Sequence, residues 1–101
     1  MAMENSTYSP VPIEVDGVEV PPELAPLVEL LAENTHDLWA RQRLQDGWTW
    51  GPARNDERKH HPGLVHYAEL PASEQEYDRI IVVQTMKTIV KLGYDVRKRS
   101  E

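Results

Sequence analysis

Apolar side chains recur along the chain at two separate helical spacings. Leu24, Leu27, Val28, Leu31, Thr35, Leu38 and Gln42 fall on one face at three- and four-residue intervals, with Pro21–Pro22 placed to open the run and Gly47 to stop it. The spacing predicts a helix over about 22–46, continuous or broken near Asn34, with Pro26 distorting its first turn. Tyr77, Ile81, Gln84, Thr85, Thr88 and Leu92 repeat the pattern up to Gly93, behind a Ser73-Glu74-Gln75-Glu76 capping-box spacing. A second helix is predicted over 74–92. Ahead of the first helix, the β-branched residues Ile13, Val15, Val18 and Val20 flank a turn-forming Asp16–Gly17, which predicts extended chain. Pro10 and Pro12 confine it to a sheet edge. Tyr94–Val96 predicts a short final strand able to pair with that segment.

The expected fold is therefore α+β: two main helices packed on a small antiparallel sheet built from the N-terminal extended segment and the C-terminal strand. Residues 8–97 form one domain, preceded by a disordered tail over 1–7 and followed by a charged tail over 98–101. The stretch 46–63 is rich in turn formers and charge and has no periodicity, so it reads as a long functional loop.

At 101 residues the chain holds one core. It has no cysteine, which removes disulfides and thiolate chemistry and favours a reducing, cytoplasmic setting. The longest apolar run is Ile80–Val83, and no charged-then-apolar leader pattern is present, so neither a membrane span nor secretion is expected. A formal charge of −6 opposes general nucleic-acid binding while leaving room for a local anion subsite.

Three groups of residues carry candidate chemistry. All the tryptophans, Trp39, Trp48 and Trp50, lie within twelve residues. Trp48 and Trp50 are expected as core, because each buries on the order of 150–250 Å² in a domain without phenylalanine. Trp39 has Asp37, Arg41 and Arg43 beside it, an arrangement suited to stacking a planar ring while pairing with an anion. The run Arg54–His61 is either a solvated loop of mixed sign or, through Arg54, Arg58 and Lys59, a phosphate or carboxylate subsite. His36, His60, His61 and His66 have no spacing that warrants a metal site, and no nucleophile, acid–base pair or phosphate loop stands out. No catalytic residue, metal or cofactor is assigned, and the chain is not expected to be an enzyme.

The segments Leu31–Trp39, Gly47–Pro52, His61–Pro62, Leu64–Val65, Glu76–Asp78 and Leu92–Tyr94, with Arg43, Asp56, Tyr67 and Leu70–Pro71 between them, resemble the RyR repeat of ryanodine receptors. Tyr8–Pro12 and Val20–Leu24 are similar to that repeat's N-terminal extension, so the resemblance runs from about Tyr8 to Val96. It implies a compact α+β fold and a cleft between paired repeats that takes an adenine-nucleotide-type ligand, with Trp39 and Arg43 at its wall. Channel activity does not carry over to a single repeat without a channel. A symmetric homodimer would recreate the cleft. On this reading the chain is a non-catalytic binding module: Trp39 stacks the base, Arg43 and Arg54 engage phosphate or ring, and Lys59 and His60 add charge at the rim. A protein–protein adaptor, in which the tryptophan-rich loop fills a partner's groove, is the alternative.

Overall fold

The computed structural model describes residues 7–100. Most of the tail expected over 1–7, and the last residue of the charged tail, lie outside this range.

Two antiparallel helices dominate. The first, α1, spans Ala25–Gln45 and follows a single 3-10 turn at Pro22–Leu24, where Leu24 N–H donates to Pro21 O at 3.0 Å. Pro26 does not distort α1, because the helix starts at Ala25 and places the proline among the first positions, whose N–H groups have no partner to lose. Nor is the helix broken at Asn34. That residue faces solvent, while Ala32 two positions earlier is completely buried where α1 packs on the second helix.

The second helix, α2, spans Ala72–Lys91. Its start does not use the expected capping box: Pro71 is the cap residue and no side chain caps it. Glu76 is instead committed to Arg79 at 3.1 Å, and the Gln75 amide reaches back to the carbonyls of Tyr67 and Leu70 at 3.0 and 3.3 Å, which fixes the preceding 3-10 turn Tyr67–Glu69 against the helix.

Both helices end in the same way. At α1, Gly47 takes φ 92°, its N–H donates to Leu44 O at 3.1 Å, and Trp48 N–H donates to Arg43 O at 2.9 Å. Gly93 does likewise at φ 101°, with Gly93 N–H on Val90 O and Tyr94 N–H on Ile89 O. These paired bonds satisfy carbonyls that a helix end leaves open, and the left-handed φ is why glycine stands at both points.

The expected antiparallel sheet is absent among the described residues. The strands are β1, Thr49–Trp50, and β2, His60–His61, and they run parallel, with Thr49 opposite His60 and Trp50 opposite His61. The architecture is thus mainly helical, with a two-stranded sheet, two residues to a strand, in the loop between the helices. Pro10 and Pro12 remove donors that a ladder would need, and the N-terminal segment is anchored by side chains of α2: Gln84 donates to Ile13 O at 3.0 Å and Lys91 to Glu14 O. Asp16–Gly17 does form a turn, with Val18 N–H on Val15 O at 3.0 Å, but its arms do not pair as strands. Tyr94–Val96 is likewise not a strand, and Val96 packs against the core.

That core joins Leu24 and Ala32 of the first half to Tyr67, Leu70, Val82 and Met86 of the second. On one flank of the helix pair, Tyr67 OH donates to Glu29 at 3.0 Å and Arg79 contacts both, at 3.1 Å to the phenol and 3.2 Å to the carboxylate. This cluster ties α1 to α2. No helix among the described residues is long and apolar enough to cross a membrane.

Candidate functional site

The C-terminal half of α1 presents His36, Trp39 and Arg43 at helical spacing on one face. Across from it the first turns of α2 present Glu74, Tyr77 and Asp78, and the loop between the helices closes the end with Arg54, His61 and Gly63 over a floor at Leu70. Together they line a cavity of about 330 Å³.

The helix ending of α1 builds the aromatic wall. Because Trp48 N–H is bonded to Arg43 O, the indole is folded back onto the guanidinium, whose carbon lies 4.7 Å from the Trp48 ring centroid and 5.5 Å from that of Trp39. Arg43 thus spans two π faces and makes no ion pair among the described residues. Trp48 is half-buried and Trp50 is 54 % exposed, so neither supplies the core mass expected of it. Neither ring belongs to the core cluster or packs against it, and Trp48 lies against the Arg43 and Arg54 guanidinium groups instead of apolar neighbours.

His61 meets Trp39 edge-on, with the ring centroids 4.9 Å apart. Its Nδ1 accepts a hydrogen bond from Gly63 N–H at 2.9 Å, which places the ring proton of the neutral form on Nε2. Burial lowers its pKa from 6.5, and the nearby Arg43 and Arg54 charges add to the effect. A side chain at Gly63 would meet the His61 ring at 3.1 Å and Trp39 at 3.4 Å, so glycine permits this packing. Deeper in, His36 stacks with Trp39 at 5.7 Å and its Nε2 donates to Val65 O at 2.7 Å, pinning the loop to α1.

Arg54 reaches the cavity with its charge shared. It pairs with Asp56 at 2.8 Å and lies 5.9 Å from the Trp48 centroid. The hydrogen bond to Arg54 holds Asp56 below the usual carboxylate range, and the same bond raises the pKa of Arg54.

Of the five ligand-binding residues expected from sequence, Trp39, Arg43 and Arg54 line the cavity and Lys59 and His60 do not. Lys59, at φ 57°, sends its ammonium to Asp46 O at 2.8 Å, where it meets the negative end of α1. His60 lies against Gly51, and its backbone exchanges two 2.9 Å hydrogen bonds with Asn55. Both shape the loop instead of facing the cavity.

Sequence reasoning missed the second wall. Glu74 and Asp78 are spaced i, i+4 beside Tyr77, a signal available once α2 is placed, but nothing in the sequence says that this flank of α2 faces Trp39. Burial raises the pKa of Asp78, opposed by nearby His36 and reinforced by Glu74. Among the described residues no group of three or more histidine and carboxylate side chains is placed to hold a metal ion.

The family model described as the RyR domain matches residues 8–98, nearly the whole chain, and the chain belongs to that family.

Proposed function

We propose that this RyR domain is a non-catalytic module that binds a planar anionic ligand of the adenine-nucleotide type in the cavity between α1, α2 and their connecting loop. The observation that carries the reading is Arg43: a guanidinium without an ion-pair partner among the described residues, held against Trp39 at the wall of a cavity within the size range of small-molecule sites. Trp39 offers a base the part of its ring that lines the cavity beside His36 and Arg43, and Arg43 offers a cation for phosphate, with Arg54 adding a second cation whenever Asp56 releases it. The module is taken to work in the cytoplasm, in keeping with a chain free of cysteine, and its net charge of −6 speaks against general nucleic-acid binding.

A symmetric homodimer belongs to the same proposal. Tyr77 lines the cavity yet is 66 % exposed, Ile81 one turn on is 61 % exposed, and Leu38 is 49 % exposed on α1. A second copy covering this apolar margin would close the cavity from above. The same exposed residues, with Trp50, favour the alternative of a protein–protein adaptor.

Calorimetric titration with AMP, ADP and ATP, with light scattering for mass, tests the reading. Saturable binding lost in Trp39→Ala, with the variant still folded by circular dichroism, is the expected result. No heat with any of these nucleotides in the wild-type protein overturns it in favour of the adaptor.

A further inference from the structure

The cavity has an acidic wall as well as a cationic one, and neither has satisfied the other. Asp78 is half-buried and makes no hydrogen bond or ion pair among the described residues, although it lines the same 330 Å³ space as Trp39 and Arg43. A half-buried carboxylate with no donor from the protein is free to accept one from a ligand, whereas the paired acids Asp56, with Arg54, and Glu29, with Arg79 and Tyr67, are exposed and lie outside this cavity. Glu74, one turn earlier on α2, lines the cavity too and adds negative charge, so the nearest companion of Asp78 on its own helix repels it. From α1 the facing group is His36, whose Nε2 is already committed to Val65 O.

Antiparallel packing sets the order of these groups. Along α1 the cavity runs from His36 through Trp39 to Arg43, and the Arg79–Glu29 contact at 3.2 Å sets the register of the two helices, so Asp78, next to Arg79, lies toward the His36 end and Glu74, one turn earlier, toward the Arg43 end. A ring laid on Trp39 with its phosphate toward Arg43 therefore has its far edge toward Asp78. An ionised carboxylate only accepts hydrogen bonds, so it attracts an edge that bears an N–H donor and is indifferent or hostile to one that lacks it. Resting on the ligand reading above, we infer that Asp78 determines specificity at this site, accepting a hydrogen bond from an exocyclic amino group on the ligand's base, so that the occupant is an amino-bearing planar anion.

The test compares AMP with its 6-deamino analogue, purine riboside 5′-monophosphate, on wild type, Asp78→Ala and Asp78→Asn. In the wild type, removing the amino group is expected to weaken binding by about tenfold or more, the loss typical of a hydrogen bond to a charged acceptor. In Asp78→Ala the two ligands bind alike, and in Asp78→Asn, whose carbonyl still accepts, part of the preference remains. Removing an unpaired, partly desolvated charge does not threaten folding, and equal or higher thermal stability of Asp78→Ala verifies this. Equal affinity of the two ligands for wild type, or an unchanged ratio in Asp78→Ala, overturns the role of Asp78 while leaving the ligand reading intact. Absence of binding by both ligands to wild type overturns the ligand reading and this inference with it.

Discussion

Arg43 and Trp48 are joined twice: the Trp48 amide donates to the Arg43 carbonyl at 2.9 Å, and the Arg43 guanidinium returns to within 4.7 Å of the Trp48 ring centroid. The first contact ends a helix and the second builds a wall of the cavity. Local backbone geometry and site architecture are thus one arrangement, hinged on Gly47.

Substituting Gly47 acts on both at once. At φ 92°, alanine meets the left-handed penalty of about 1–2 kcal/mol, and the ending that folds Trp48 back is loosened. Gly47→Ala should lower the urea midpoint without changing the slope and shift the tryptophan emission, while Gly47→Asn, better tolerated at such endings, retains most of the stability.

Arg43→Met isolates the side-chain contact. It preserves the helix and much of the apolar stem but removes the cation from two rings, so a loss of about 0.5–1 kcal/mol is expected from chemical denaturation. The backbone bond from Trp48 persists in this variant. A loss well above that range would mean that the guanidinium organises more of the loop than these two rings.

Gly51 probes the small sheet. It is buried, and a Cβ there would lie 2.5 Å from the Cβ of His60, an atom fixed by the strand backbone that no rotamer change can move. Gly51→Ala should cost about 1–3 kcal/mol through forced separation of the strands. Because His61 follows on the same strand, the His61 ring resonances should shift in the NMR spectrum.

The acid limb of the stability curve should report His61. Its pKa in the fold lies below the ordinary 6.5, so between those two values the unfolded chain binds more protons than the folded one. Stability is complete above about 6.5 and declines as pH falls through the depressed folded value. Urea midpoints measured from pH 7.5 down to 5 should decrease on this account, and His61→Gln should flatten that part of the profile. A wild-type profile unaffected by the substitution would show that other groups govern the limb.

Ala32 tests the helix seam away from the site. It is fully buried where α1 meets α2, so Ala32→Leu forces the helices apart at an expected cost of about 1–3 kcal/mol, readable as a lower melting temperature. Leu38→Ala on the exposed flank is the control and should move stability little in a monomer, whereas light scattering on it would register any loss of a dimer.

Both helices were legible in the sequence because periodicity and terminal glycines are local signals. Leu27 through Gln42 and Tyr77 through Thr88 lie on helices that end where Gly47 and Gly93 place them. The small sheet was not legible. Ile13, Val15, Val18 and Val20 carry strand propensity, yet propensity is decided by partners, and here the carbonyls of Ile13 and Glu14 are met by the Gln84 and Lys91 side chains from α2. The two residues that do form β2 are histidines, a pair that no strand scale would select.

The sequence by itself determined the two helices, their C-terminal ends and the clustering of tryptophan with arginine, since each rests on residues close together in the chain, and it carried the RyR resemblance as an ordered series of such short segments. Tertiary structure alone decided which cations face the cavity, sending Arg43 and Arg54 inward while Lys59 turned to the end of α1, and it alone set Asp78 across from Trp39. The reason is physical: a residue's neighbours within a helix are fixed by a repeat of 3.6 residues, whereas its neighbours across a helix pair depend on how two faces pack, and that is written in no single segment.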